Sequence, residues 1–347
     1  MSVRAADVGA LEQTVLVSSP SPSFVTETGV LDGPALLVHG GAGTFERLRD
    51  GGSRAGLESA LAVALEAGWE VFERGGDALR ATVEAVARLE DCGLFNAGRG
   101  STPTTEGIIE TDASVMDGST GAAGGVCATT WPANPVRAAL LVATQGQAHW
   151  PPGPGPTPPD QRHSAEGTFA ADGSPTWHPV LLAGAGANSF AQAAGLAEMT
   201  AATAHAGEGS PSGLPSPGTV GAVALDGSGH VAAATSTGGR PVKPPGRVGD
   251  SAIIGAGTWA DDATAAISGT GTGEAFVLAG FAHAVDWAMR SGSSLDHALM
   301  TALQGVAARD GSGGAIAITP SGRFATIFGT PAMARGWKSA NEMIVRI

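Results

Sequence analysis

"PSPGTVGAVALDGSGHVAAATSTGG", residues 215–239, decides how this chain is read. Up to Gly218 it is Pro, Ser and Gly, the end of a low-complexity stretch that begins at residue 200. From Thr219 it changes character. Val220–Leu225 and His230–Thr235 read as buried strands around the turn Asp226-Gly227-Ser228-Gly229. No loop separates the two regimes. One reading of Gly218-Thr219 is a linker entering a strand. The other makes the boundary chemical. A threonine hydroxyl is a poor nucleophile without a base beside it. If Thr219 began a chain, its own α-amine would be that base. An α-amine has a reference pKa of about 7.7–8.0, so part of it is unprotonated near neutral pH. Gly218 lacks a Cβ and tolerates strained dihedrals, so the Thr219 hydroxyl could attack the Gly218 carbonyl and expel the amine. Hydrolysis of the resulting ester would free the new terminus. Residues 200–218 would then be the segment that withdraws.

Outward from that stretch, the composition sets bounds. A chain of 347 residues suits one large domain or two ordinary ones. With 43% hydrophobic and 15% charged residues it is globular. Its 53 glycines imply many turns and close backbone approaches. A net charge of −13 argues against nucleic acid and anionic membranes as partners. Cys92 and Cys127 can build neither a disulfide framework nor a zinc site, which fits a reducing cytoplasm. The N-terminus has no basic region followed by an apolar run, and no stretch is long and apolar enough to span a bilayer. The histidines are dispersed, with no HxxxH or HxH pair, so no transition-metal site is expected. GxSxG and GxxxxGK[ST] are absent. "GTGTGEAF" (269–276) lacks the strand-and-helix frame of a dinucleotide fingerprint.

Along the chain, residues 1–33 read as a flexible leader. "PALLVHGGAG" (34–43) is a buried strand running into a tight loop. Ser53 to Arg74 is helical, and Asp77 caps a second helix with Leu79, Val83 and Val86 on one face. "GGVCATTW" (124–131) is a strand and Arg137 to Ala143 a short helix. Residues 146–177 are a mobile Pro/Gly-rich insertion, and 200–218 a disordered linker. Residues 178–199 are strand or turn, then helix. Glu274 to Met289 reads as one helix with Val277, Phe281 and Val285 in line, and Leu295 to Val306 as another. Residues 313–330 form a closing hairpin. Helices on both faces of largely antiparallel sheets give an α+β fold.

"GTVGAVALD", "AAATSTGG", "GRVGD", "GAGTWAD" and "ISGTGTGE" together resemble the plant-type L-asparaginase / isoaspartyl peptidase family, the threonine β-aspartyl peptidases. "VHGGAG" (38–43), "LEDCGLFNAGRGS" (89–101), "TDASVMDG" (111–118), "NPVRAA" (134–139) and "GGAIAITPSGRFATIFGTPAMARG" (313–336) agree in order. The resemblance covers roughly residues 34–145 and 178–347. It implies an N-terminal-nucleophile hydrolase with a four-layer αββα sandwich, cut between Gly218 and Thr219 into an α-subunit (34–218) and a β-subunit (219–347).

The implied roles follow by position. Thr219 is the nucleophile and its freed amine the base. Thr237 orients it. The Thr270 hydroxyl and Gly271 amide form the oxyanion hole. Arg247 clamps the substrate α-carboxylate and Asp250 accepts its α-ammonium, with Gly273 and Asn96 also at the substrate site. Gly40 and Gly41 shape a loop beside the nucleophile. The backbone carbonyls of Leu89, Glu90, Cys92, Phe95, Ala97 and Arg99 surround a structural Na⁺; no organic cofactor is implied. The expected activity is hydrolysis of L-asparagine and β-aspartyl (isoaspartyl) dipeptides through a threonyl ester, by a homodimer of α/β units. The alternatives are a glycosylasparaginase and an uncleaved, non-catalytic amino-acid-binding protein. The insertion at 146–177, the Ser/Pro/Gly character of the stretch before Gly218 and the leader depart from the family pattern. The absence of Tyr excludes a phenolic group from the pocket.

Overall fold

The strand that begins at Val220 is buried along its whole length, and the fold is organised around it. A computed structural model describes residues 23–43, 52–145, 179–199 and 218–347. The insertion at 146–177 and nearly all of the 200–218 linker lie outside the described residues, as do residues 1–22. Strand β6 (Val220–Leu225) lies between β2 (Ala35–Gly43) and β7 (Val231–Thr237), all antiparallel. The predicted turn at 226–229 joins β6 to β7. Around them an eight-stranded sheet has the order β13-β12-β2-β6-β7-β3-β4-β5. Its other members are β3 (Thr111–Asp117), β4 (Ala123–Thr129), β5 (Leu181–Ala183), β12 (Ala332–Ser339) and β13 (Met343–Arg346). Only β4 and β5 pair in parallel among these strands. A second sheet has the order β1-β11-β10-β9-β8: β1 (Val25–Val30), β8 (Thr258–Ala260), β9 (Ala266–Gly271), β10 (Gly313–Ile318) and β11 (Arg323–Phe328).

Strand periodicity of two assigns each side chain to a layer. Leu36 and Val38 of β2, with Val220, Ala222 and Ala224 of β6, lie in the core layer of the helices α1 (Gly52–Glu73), α2 (Ala78–Asp91), α3 (Pro135–Gln145) and α4 (Gly184–Ala193). Leu37, Val223 and Ala233 face the other way, toward Ile316, Ile318 and Phe324 of the second sheet. The alternate residues of that sheet, Ile267, Ala315, Ala317 and Ile327, pack under α6 (Phe281–Arg290) and α7 (Leu295–Ala307). Asp77 caps α2, its side chain accepting from Arg80 N at 2.8 Å, as the sequence predicts.

Three expectations change. The leader ends earlier than residue 33: β1 pairs with β11 from Val25↔Phe328 to Val30↔Arg323, and Leu31 is buried. As an edge strand it keeps Val25 and Val30 exposed, so it lacks the apolar run that marks a central strand. The helix expected at 274–289 is two, α5 (Gly273–Ala279) and α6, broken at Gly280, which is left-handed at φ 55°. The break turns Val277 outward while Phe281 and Val285 stay buried. Finally, the hairpin at 313–330 does not close the fold. β12 returns to the eight-stranded sheet beside β2.

Candidate active site

Thr219 stands immediately before β6, and Val220 pairs with Ser236 of β7. That register brings Thr219 beside Thr237, the last residue of β7. The Thr219 hydroxyl donates to Thr237 Oγ1 at 3.2 Å, and Thr237 Oγ1 accepts from Gly239 N at 3.0 Å. Thr219 is only 7% exposed. The other sheet supplies Thr270 and Gly271 at the end of β9. Gly271 is at φ 150°, and a Cβ there would meet Gly313 Cα at 2.6 Å. Gly41 (φ 100°) packs on the residue before the nucleophile; a Cβ there would lie 2.6 Å from Gly218 N. Gly40 lies equally close to the Phe95 ring. Glycine is therefore required where β2 meets the Gly218-Thr219 bond.

Two clefts of about 200 and 230 Å³ meet at Thr219, Gly239, Gly271 and Thr272. One is lined by Gly218, Thr270, Ser312 and Thr330. The other holds Thr237, Arg247, Asp250, Gly273 and Glu274. Asp250 is buried, and its Oδ2 has no hydrogen-bond partner. Burial pushes its carboxyl up to about 7. Gly273 separates Asp250 from Arg247: a Cβ there would lie 2.9 Å from Asp250 Oδ1 and 2.8 Å from Arg247 Nη2. Arg247 does not pair with Asp250. Its Nε donates to Glu274 Oε1 at 3.0 Å, its Nη2 lies 3.0 Å from the same oxygen, and Arg240 approaches Glu274 Oε2 at 3.7 Å. Despite desolvation, these arginines and the Glu274 backbone hold the Glu274 carboxyl below its usual value. The cleft thus carries a guanidinium, an orphaned buried carboxylate and a hydroxyl nucleophile candidate around a glycine floor.

The loop between β7 and Asp250 is held from below by residues 96–112. Asn96 donates to Gly239 O at 2.5 Å, and its Oδ1 accepts from Thr102 N at 2.8 Å. The buried Lys243 ammonium donates to Glu110 O at 2.5 Å and to Gly238 O at 2.7 Å. Burial lowers the Lys243 pKa, against the pull of Asp112 and Glu110. Glu110 accepts from Gly246 N at 2.8 Å, and Asp112 from Gly249 N and Ala128 N at 2.9 Å.

Of the residues singled out from sequence, Thr219, Thr237, Thr270, Gly271, Arg247, Asp250 and Gly273 converge on these clefts. Asn96 lies under them and touches the Gly239 carbonyl. The 89–99 segment carries Asn96. There the C-terminal end of α2 meets a loop turned by Gly93 (φ 69°) and Gly98 (φ 51°). A Cβ at Gly98 would lie 2.8 Å from Glu90 O, and one at Gly100 2.9 Å from Gly93 O. The Glu90 side chain is fully buried, accepts from Val136 N at 3.1 Å, and is pushed up to about 8 by burial. Sequence reasoning missed Glu274, although it lies within the quoted "ISGTGTGE". It also missed Lys243, Asp112 and Glu110, because nothing in a lone Lys or Asp announces burial.

Comparison with known proteins places this geometry in a family. Residues 32–150 and 210–346 match the family described as asparaginase. The chain is 38% identical over 335 residues to an isoaspartyl peptidase of Escherichia coli, covering 88% of this chain and 93% of that protein. It is 35% identical over 326 residues to a plant-type L-asparaginase of Pyrobaculum calidifontis, covering 89% of this chain and 98% of that protein. It is 33% identical to the human isoaspartyl peptidase/L-asparaginase, covering 89% of this chain and 94% of that protein. The chain belongs to the asparaginase family and is an amidohydrolase. The resemblance read from the motifs is borne out.

Proposed function

We propose that this enzyme hydrolyses L-asparagine and β-aspartyl dipeptides, releasing L-aspartate through a covalent ester on Thr219. One observation carries the reading: the Thr219 hydroxyl, a guanidinium and an unpaired buried carboxylate line one cleft. A free amino-acid head offers one minus and one plus charge. Arg247 takes the α-carboxylate and ionised Asp250 the α-ammonium, which leaves the side-chain carbonyl at Thr219. A peptide α-bond presents no such head.

The chain first cuts itself between Gly218 and Thr219. The freed Thr219 amine then accepts the hydroxyl proton while Oγ1 attacks the substrate β-carbonyl. Thr237 orients the hydroxyl. The negative oxygen is stabilised by the Thr270 hydroxyl and the Gly271 amide; losing one such donor costs about 2.7–4 kcal/mol in comparable sites. Ammonia or an amino acid leaves with a proton from the amine. Water, activated by the same amine, hydrolyses the ester. The helix–sheet–sheet–helix packing supports the four-layer αββα arrangement of N-terminal-nucleophile hydrolases, with residues 34–218 and 219–347 as subunits and a homodimer of α/β units as the assembly.

The crowding of Glu90, Gly93 and Phe95 carbonyls around Gly98 and Gly100 fits a hard cation. Sodium held by the carbonyls of Leu89, Glu90, Cys92, Phe95, Ala97 and Arg99 would brace the loop that presents Asn96. It would supply fixed positive charge and no reactive chemistry.

N-terminal sequencing of purified protein, with asparagine and β-aspartyl-leucine assays, tests the proposal. The expected result is a fragment beginning Thr-Val-Gly-Ala together with turnover of both substrates. A single uncut chain that still turns over asparagine would overturn the nucleophile. Turnover of a glycosylasparagine but not of β-aspartyl-leucine would overturn the substrate.

A further inference from the structure

Between the two sheets the packing changes character in steps of two residues toward the active site. On β2 the inward positions run Leu37, His39, Gly41. On β6 they run Val223, Gly221, Thr219, and on β7 Ala233, Thr235, Thr237. On β3 they run Met116, Ser114, Asp112, and on β9 Ala266, Ser268, Thr270. Registers align the rungs: Leu37↔Val223↔Ala233↔Met116, then His39↔Gly221↔Thr235↔Ser114. In the second sheet Thr258 pairs with Ser268. The first rung is apolar and the third carries the reactive groups. The middle rung is polar and completely buried: His39, Ser114, Thr235, Thr258 and Ser268 are all 0% exposed.

These side chains form one continuous hydrogen-bonded line. His39 Nε2 meets Ser268 Oγ at 2.9 Å, and Ser268 Oγ meets Thr235 Oγ1 at 2.8 Å. Thr235 Oγ1 meets Thr258 Oγ1 at 2.6 Å, and Thr258 Oγ1 meets Ser114 Oγ at 2.8 Å. Ser114 Oγ meets the Ser251 carbonyl at 2.6 Å, next to Asp250. The line crosses between the sheets at His39–Ser268, Ser268–Thr235 and again at Thr258. Gly221 makes room for it, because a Cβ there would overlap Ser268 Oγ and His39 Nε2.

Three carbonyls accept from the line: Ser251 O from Ser114 Oγ at 2.6 Å, and Gly257 O from Thr235 Oγ1 and Ala234 O from Ser268 Oγ, each at 3.4 Å. The line ends on His39. Its Nδ1 has no hydrogen-bond partner, and burial lowers its pKa to about 3, so the ring is neutral. The backbone that bears on the ring is that of Thr219.

We propose that His39, Ser268, Thr235, Thr258 and Ser114 are positioning residues whose hydrogen-bonded line fixes the height of one sheet against the other, and so the placement of Thr219 and Thr237 relative to Thr270 and Gly271. Apolar packing is non-directional and lets sheets shift. Hydrogen bonds hold their heavy atoms to a few tenths of an ångström and are costly to leave unmade in a low-dielectric interior. The nucleophile and oxyanion donors stand on different sheets, so a small slide would misalign them without touching either. This inference rests on the proposed reaction.

The experiment compares Thr235→Val, which removes the central hydroxyl at constant shape, with Thr235→Ser, which keeps it. In Thr235→Val, kcat per correctly folded site should fall on the order of 10–100-fold, with KM within about threefold because Arg247 and Asp250 stand apart from Thr235. Thr235→Ser should recover most of the loss. Equal kcat in wild type and Thr235→Val, or equal loss in both variants, overturns the proposal. Should Thr235→Val fail to fold, Thr258→Val breaks the next link and is read the same way. Nitrogen-15 NMR of the imidazoles gives an independent readout on cut or uncut chain. The His39 nitrogen shifts should change in Thr235→Val, because the line joins the two residues through Ser268; shifts identical to wild type overturn the inference. A wild-type enzyme that turns over neither substrate refutes the proposed function instead, while the NMR result stands apart from that outcome.

Discussion

The chain on either side of Gly218 contributes differently to the cleft. Downstream, residues 219–274 supply every group proposed to meet the substrate or the reacting atoms: Thr219, Thr237, Arg247, Asp250, Thr270 and Gly271. Upstream, residues 39–114 supply only supports, His39, Gly41, Asn96, Glu110, Asp112 and Ser114, which join Thr235, Lys243, Thr258 and Ser268 from downstream. The two sets interlock, since Asn96, Glu110 and Asp112 each bond the 238–249 loop. A cut at residue 218 would therefore separate the proposed reacting groups from these upstream supports in sequence but not in space. β6 stays paired between β2, from upstream, and β7, from downstream.

If this division of labour holds, changes to the six downstream groups named first should strike catalysis, and changes upstream should strike placement and stability. Thr219→Ala should leave one uncut chain and reduce hydrolysis on the order of 10⁴-fold or more; two fragments seen by intact mass would break the comparison at its root. Arg247→Ala should raise KM on the order of 100-fold, as expected for truncating a largely desolvated charge partner. Precursor cleavage measured by gel should proceed nearly unchanged. Equal loss of both would make Arg247 a support and not a ligand.

The pH profile separates the two carriers of charge. Burial raises the Asp250 pKa to about 7, so the group is neutral below that pH and ionised above it. An ammonium ligand needs it ionised. Consequently kcat/KM, which reports the free enzyme, should fall below pH 7 by about tenfold per unit beyond the loss set by protonation of the Thr219 amine. Asp250→Asn should abolish that limb and leave only the one belonging to the Thr219 amine.

Upstream, Asn96→Ala strands the Gly239 carbonyl and the Thr102 amide. It should cost about 1–3 kcal/mol of stability, read as a lowered Tm, with a smaller effect on kcat than any change at Thr219 or Thr270. The smallest effect is expected at Glu274, half exposed on its side-chain atoms. Its carboxylate occupies the guanidinium that the substrate needs. Glu274→Gln should lower KM by no more than about fivefold, the scale of an exposed ion pair; a raised KM would show Glu274 aiming Arg247 and not competing for it.

The elements read most clearly from sequence are those whose pattern is local. The apolar run 34–43, the capped helix after Asp77 and the strands around 226–229 announce themselves in consecutive residues. β1 escaped because an edge strand with exposed Val25 and Val30 carries no apolar run. The 274–289 helix was overextended because a Gly inside a helical pattern is compatible with both continuation and a left-handed break. The residues that converge on the clefts were legible through motifs that bring Thr219, Thr237, Arg247, Asp250 and Thr270 into one list. Most of their supports were not. Lys243 and Asp112 look like surface charges until the fold buries them, and Glu274 looks like a first-turn acid of α5.

By itself, then, the sequence determined where the chain changes regime at Gly218-Thr219, the motifs that mark the family, and the central strands and capped helices whose pattern is local. Only the tertiary structure decided that Glu274 faces Arg247, that Asp250 keeps an unpaired oxygen, and that a polar rung runs between the sheets beneath the nucleophile. The reason is range. Helix and strand periodicities, caps and turns act within a few residues, whereas His39 and Ser268 meet across 229 positions, brought together by two sheets whose facing was set by the packing of both.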